Sequence, residues 1–344
     1  MRLTIAVMLA LTAAGCQRSS QAPAPQTTVT VQAVAETAPV GTGNADAADD
    51  PAIWRNPADP AASLIVATDK KAGLYVYGLV GKVLSFLSGG RLNNVDLVDL
   101  GDRGILVAAS DRNDEAHAKL ALFRLDPVTA KLVPLGSVAG GNGEAYGICL
   151  ATGADGSIHA FSVLKEGAIH QVALAYDGKS VSGKTVRNLS VPSQPEGCVV
   201  DGRTNSLYVG EEKAGIWRFD SRSNAPVAGQ KIAKVDGKHL VADVEGLTLA
   251  ADGVDGGWLI ASSQGDNSYA LYHLPDMKPA GRFKIAKGKF GATEETDGIA
   301  LALGDFGPRF PGGLFVAQDG ENQPRAQNFK LVPWASIRQA AELR

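Results

Sequence analysis

One short element recurs along this chain, and its period limits the possible folds more than any other feature. A carboxylate stands directly before glycine at the start of an apolar, β-type run. It appears as "PEGCVVDG" (195–202), again 49 residues later as "VEGLTLAA" (244–251), and again as "TDGIALAL" (296–303). Looser copies are "DDPAIWRN" (49–56), "NNVDLVDL" (93–100) and "AYGICLAT" (145–152). The residue ahead of the Gly, Pro or Val is Asp50, Asn94, Tyr146, Glu196, Glu245 and Asp297 in turn, at intervals of 44 to 52 residues. Four of the six are acids.

A second element follows each first. It is a β-rich run, a charged loop and another alternating run, as in "SLIVATDKKAGLYVYGL" and "SLYVGEEKAGIWRFD". These are hairpin signatures. A period of this length, made of short strands and Gly/Asp turns, is the sequence form of a propeller blade. The expected fold is therefore all-β: a six-bladed β-propeller, one domain over 28–344. Residues 28–37, "TVTVQAVAET", lie outside the six copies and are expected to add an outer strand that closes the ring and removes an exposed edge. Helix is expected only in the last residues, "WASIRQAAELR".

With 344 residues, 45% of them hydrophobic, the chain can bury a large core. A net charge of −3 with no basic stripe excludes a general nucleic-acid binder. Residues 1–16, "MRLTIAVMLALTAAGC", carry an apolar run too short to span a bilayer and read as an export signal. The cysteine at its end, Cys16, matches a bacterial lipoprotein signal, so membrane attachment is expected only through a lipid there. Residues 17–27 are polar and Pro-containing, as in a flexible tether. Cys149 and Cys198 lie one position out of register in the repeat. Since alternate strand residues face opposite ways, they are expected to be buried free thiols.

In a propeller the first strand of every blade lines a central channel, so equivalent positions meet around one axis. Asp50, Glu196, Glu245 and Asp297 are expected to converge at one mouth, with Asp46, Asp49 and Asp243 close by. Crowded carboxylates either take up protons or gather cations. This many hard oxygen donors suits Ca²⁺, which accepts about six to eight of them. The five histidines show no zinc-ligand spacing. The charged loops add Lys70, Lys71, Arg112 and Lys165 in the first three blades and Glu211 and Glu212 in the fourth. Cations beside carboxylate-bound metal suit an anionic, oxygen-rich ligand such as a phosphate ester. No Ser-His-Asp or Cys-His arrangement is visible. A calcium-dependent propeller lactonase and a binding propeller without catalysis remain as competing classes.

Longer segments carry a resemblance. "DAADDPAIW", "TDKKAGLYVY", "LNNVDL", "EGCVVD", "YVGEEKAGIW", "VEGLTL", "ASSQGDNSYALY", "TDGI" and "GLFVAQDGEN…QNFKLVPW" together resemble the β-propeller phytases, from about residue 28 to 337. The resemblance implies a monomeric, calcium-dependent enzyme that removes phosphates from myo-inositol hexakisphosphate (phytate), taken up as its calcium complex. It implies catalytic-calcium ligands at Asp49, Glu196, Glu245 and Asp297, with Glu36, Asp46, Asp50 and Asp243 as further acids. Lys70, Arg112, Tyr146 and Lys165 would bind phosphate, and Glu212 would stand near the reacting phosphate. Asn94, Asp96, Asp319 and Asn322 would hold structural calcium. The chain departs from the family at Phe290-Gly291, where an Asp-Gly pair usually helps to ligate calcium. Glu294 or Glu295 is the candidate substitute, and the alternative is a weaker calcium site or a shifted calcium demand.

Overall fold

The computed structural model describes residues 28–43 and 45–343; the expected signal and tether lie outside these. Six sheets form the ring, four of them made only of consecutive antiparallel strands and two completed by the N-terminal segment, and each runs from an inner strand at the channel to an outer strand at the rim. The inner strands are Ala48–Trp54, Leu92–Asp99, Ala145–Thr152, Pro195–Asp201, Val244–Asp252 and Ile299–Leu303, which open blades 1 to 6.

The strand patterns follow from where each strand sits. The second strand of blade 1, Leu64–Asp69, is buried at every residue because other blades cover both of its faces. The outer strand Val83–Ser88 alternates half-buried and exposed residues, as one covered face requires. The apolar core is accordingly divided among the gaps between neighbouring blades. Trp54, Val66 and Val76 meet Val95, Val107 and Phe123 in one gap. In the gap between blades 5 and 6, Tyr269, Phe283 and Phe315 pack with ring centroids 4.8 to 5.5 Å apart.

The N-terminal segment does more than close one edge. β1 (Thr28–Gln32) adds a fifth strand, parallel, to blade 5 along Lys278–Ala286. β2 (Ala35–Glu36) then becomes the outer strand of blade 6 against Asn328–Pro333. One segment shared by two blades thus ties the start of the chain to its end. The single α-helix among the described residues, Trp334–Ala340, buries Trp334 and Ile337 in the same gap.

The inner strands explain the recurring motif. Their pairing with the second strand slips after Ala48, Leu92, Ala145, Pro195 and Val244 and resumes three residues on. The bulge leaves two residues free of the ladder in each case: Asp49-Asp50, Asn93-Asn94, Tyr146-Gly147, Glu196-Gly197 and Glu245-Gly246. The first turns toward the mouth and the second faces the next blade. A Cβ on Gly147 would lie 1.9 Å from the Glu196 carbonyl oxygen, and one on Gly197 would lie 2.1 Å from that of Glu245. Glycine is there because the neighbouring backbone occupies the side-chain space. The expected ring is therefore corrected by one residue in the first two blades. Asp49 and Asn93, not Asp50 and Asn94, are equivalent to Glu196.

Cys149 and Cys198 are also corrected. They form a disulfide, with Cα atoms 5.8 Å apart. Alternation within one strand does send out-of-register residues to opposite faces. Blades, however, stack face to face, so the residues that meet across a gap come from opposite faces of their own sheets. Cys149 and Ala151 of blade 3 face Cys198 and Val200 of blade 4 in one cluster. An offset of one position is what the bridge requires. A chain beginning at residue 28 should show no titratable thiol when denatured without reductant. Cys149→Ser should lower its unfolding free energy by about 2–4 kcal/mol in denaturant melts.

Candidate active site

The mouth formed by the bulged residues opens into a cleft of about 610 Å³. Lys70, in the turn after Leu64–Asp69, reaches its centre. Its Nζ lies 2.7 Å from Asp49 Oδ1, 2.8 Å from Asp46 Oδ2 and 3.3 Å from Asp297 Oδ2. Burial would favour the neutral amine, but Asp49, Asp297 and Asp46 outweigh it and hold the ammonium charged well beyond its usual range.

One ammonium does not balance this site. Glu196, Glu212 and Glu245 bring carboxylate oxygens within 4.8 Å of one another, and all three residues are buried. Glu245 Oε2 has no hydrogen-bond partner. Burial pushes the Glu196 carboxyl well up, helped by Asp49 and Asp297. Burial does the same to Glu245, with Glu196 and Asp297 adding repulsion. Asp297 is pushed up to about 8 by burial, against the pull of Lys70. Glu212 is raised by burial, with Asp243 adding to it. Such a cluster suits a divalent cation: clustered hard oxygens, an acceptor without a partner, and excess negative charge. The residues present fit calcium here.

Three amides that sequence reading passed over fix the carboxylates. Asn93 Nδ2 donates to Asp49 Oδ2 (3.2 Å) and Glu196 Oε1 (3.0 Å). Gln264 Nε2 donates to Asp297 Oδ1 at 2.6 Å. Gln194 Nε2 donates to Glu212 Oε1 and, at 3.4 Å, to the Tyr146 hydroxyl. No signal marks them in the sequence, because an isolated Asn or Gln on a loop or strand is commonplace. Only Asn93 could have been found, by applying the acid–Gly register to blade 2.

The cationic side stands on blades 2 and 3. The Arg112 guanidinium carbon lies 5.7 Å, and Lys165 Nζ 5.1 Å, from the centroid of the Tyr146 ring. Both also pair with Glu144, at 3.3 and 3.6 Å. Glu144, another residue not anticipated, so holds both cations beside the Tyr146 ring. Lys71 is exposed at the hairpin tip beside Lys70.

The other expected residues lie elsewhere. Asp50 Oδ2 accepts from Val95 N at 3.0 Å, and Asp96 accepts from Leu97 N and Leu150 N, each at 2.7 Å. With Asn94 they border a second cavity of about 230 Å³ further down the channel. Glu36, Asp319 and Asn322 gather instead around the fully buried Lys330, whose Nζ is 2.9, 2.8 and 3.3 Å from them. An ammonium thus already supplies positive charge to these donors, and Gly291 passes close to it. Of the two glutamates after Phe290-Gly291, Glu295 lines the main cleft and Glu294 does not.

Known proteins match this chain in fold and in sequence. A solved structure described as a putative oxidoreductase (glucose dehydrogenase) from Thermus thermophilus matches with a TM-score of 0.52 at 14% identity. It covers 85% of this chain and 98% of its own, and shows a shared fold alone. A curated 3-phytase of Bacillus subtilis (strain 168) is 39% identical over 324 residues, 90% of this chain and 85% of its own length. The sequence profile of the phytase family matches residues 1–343. With this match over nearly its whole length, the chain belongs to the phytase family.

Proposed function

We propose that the chain is a phosphoric monoester hydrolase of the 3-phytase type, acting on phytate with calcium bound by the carboxylates of the cleft. The observation that carries this reading is the convergence of Asp46, Asp49 and Asp297 on one ammonium next to the buried Glu196, Glu212 and Glu245 triad, in a cleft that also holds the cations beside Tyr146. A binding protein would not need a charge excess that disfavours its own ionised form. A lactone would not need the cationic wall. We assign Asp46 and Asp243 to the same metal-binding group, and Asp50, Asn94 and Asp96 to a structural ion in the channel. Glu36, Asp319 and Asn322 are left to Lys330.

When bound, calcium supplies a polarised water for attack on phosphorus and neutralises phosphate charge. The chain's own residues then have distinct tasks. Lys70, held by three carboxylates, stabilises the charge that develops on the reacting phosphate. Glu212, positioned by the Gln194 amide that donates to its Oε1, stands as the acid beside the reacting phosphate. Arg112, Lys165 and Tyr146 clamp a neighbouring phosphate and orient the ring. A substrate arriving as its calcium complex would meet a net-negative protein without repulsion. Export fits the signal-like residues 1–16 and the disulfide, which persists in oxidising compartments. Among the described residues no helix is long and apolar enough to cross a membrane.

Phosphate release from phytate, measured with calcium and again with chelator, tests the proposal; a folded protein that releases none at any calcium level refutes it. Glu196→Gln and Asp297→Asn should each lower kcat by about 10²–10³-fold with the ring still folded by circular dichroism. Lys165→Ala should act mainly through a raised KM for phytate. In the metal-free protein, the folded chain keeps a proton on Asp297 between pH about 4 and 8 that the unfolded chain has lost. Stability should therefore fall as pH rises through that window, and calcium should restore it, as read by thermal melts with and without chelator.

A further inference from the structure

Blade 6 supplies Asp297 to the scheme above, but the rest of the cleft wall that it builds has no role there. In a ring of six, blade 6 stands opposite blade 3, which carries Tyr146 and Lys165. The loop between Gly313–Asp319 and Asn328–Pro333 forms this wall, and Arg325 lies on it. Among the described residues that line the cleft, Lys70 and Arg325 are the two cations. Lys70 is enclosed by carboxylates, whereas the Arg325 side chain is 51% exposed.

Arg325 is nevertheless held in place. Its Nη2 donates to Glu36 Oε1 at 2.8 Å and to Asn322 Oδ1 at 3.2 Å. Both acceptor residues are fixed in turn by Lys330, which has no exposed surface. One corner of the guanidinium is therefore anchored to a buried network. The donors on Nε and Nη1 have no acceptor among the described residues. An arginine fixed at one nitrogen, with three N–H groups left over at the edge of an anion-binding cleft, is prepared to hold a phosphate. Anchoring also reduces the side-chain entropy lost on binding.

We propose that Arg325 is a specificity-determining residue that holds a non-scissile phosphate of the substrate on the side facing blade 6. This rests on the phytase reading. The scissile phosphate lies at the carboxylate ring and a second at the Tyr146 side. A substrate phosphorylated around its whole ring reaches the opposite wall with a third, which a simple monoester cannot do. Arg325 thereby favours the more highly phosphorylated substrates.

The test compares calcium-loaded full-length enzyme with Arg325→Ala, Arg325→Gln and Arg325→Lys, using phytate and p-nitrophenyl phosphate. Arg325→Ala and Arg325→Gln should lower the ratio of kcat/KM for phytate to that for the monoester about tenfold, with the loss in KM for phytate. Arg325→Lys should regain part of the ratio. An unchanged ratio in a folded variant overturns the proposal. So does an equal loss on both substrates with a lowered Tm, which would make Arg325 only a brace for Glu36. If Arg325→Ala does not fold, the ratio in Arg325→Gln and Arg325→Lys decides in the same way. Wild-type enzyme that hydrolyses the monoester but not phytate would instead refute the phytase reading itself.

Discussion

The molecule depends on how closely the inner strands approach one another at the mouth. Where one bulged pair meets the next, Gly246 N donates to Asp297 O at 3.1 Å and Gly298 N donates to Asp49 O at 2.9 Å. These bonds pass between sheets rather than within one, and they form because the glycines present no side chain to keep the backbones apart. The same step turns the preceding residue into the channel mouth. Packing and chemistry are thus set by one dipeptide. The glycine lets blades close on each other, and the closure brings the acids together.

That closeness has an electrostatic cost, which the fold meets only in part. Lys70 and the amides of Asn93, Gln194 and Gln264 engage some of the carboxylate oxygens but leave Glu245 Oε2 without a partner. A site completed by its own side chains would be more stable and less able to take up metal. Lys330 illustrates the contrast. Its ammonium meets Glu36, Asp319, Asn322 and Asn328 together and leaves no comparable deficit. Two clusters of oxygen donors on one face therefore differ in kind. One is balanced by the chain's own ammonium and the other keeps an excess of negative charge.

The disulfide shows where reasoning from one strand fails. Alternation along the strand places Cys149 and Cys198 on opposite faces of their sheets, which is correct but does not separate them. Face-to-face stacking of blades makes opposite faces neighbours. The expected positions of Asp50 and Asn94 fall one place late for a related reason. Each stands where Gly197 stands in blade 4, so its side chain faces the next blade rather than the mouth. The order of residues does not show which of two adjacent residues a bulge turns inward.

The period of the acid–Gly element, the hairpins between copies and the lack of helix were enough to establish six blades and a ring of acids, because both depend on patterns that repeat along one chain. Lys70, Glu196, Glu212, Glu245 and Asp297 could be named for that reason. The pairing of Cys149 with Cys198, the double use of residues 28–36, the amides that orient the carboxylates and the ammonium that gathers Glu36, Asp319 and Asn322 were decided by the tertiary structure alone. Each joins segments that lie far apart along the chain or on different strands. Such contacts depend on how strands and sheets come to face one another, and the order of residues within a strand carries no record of that.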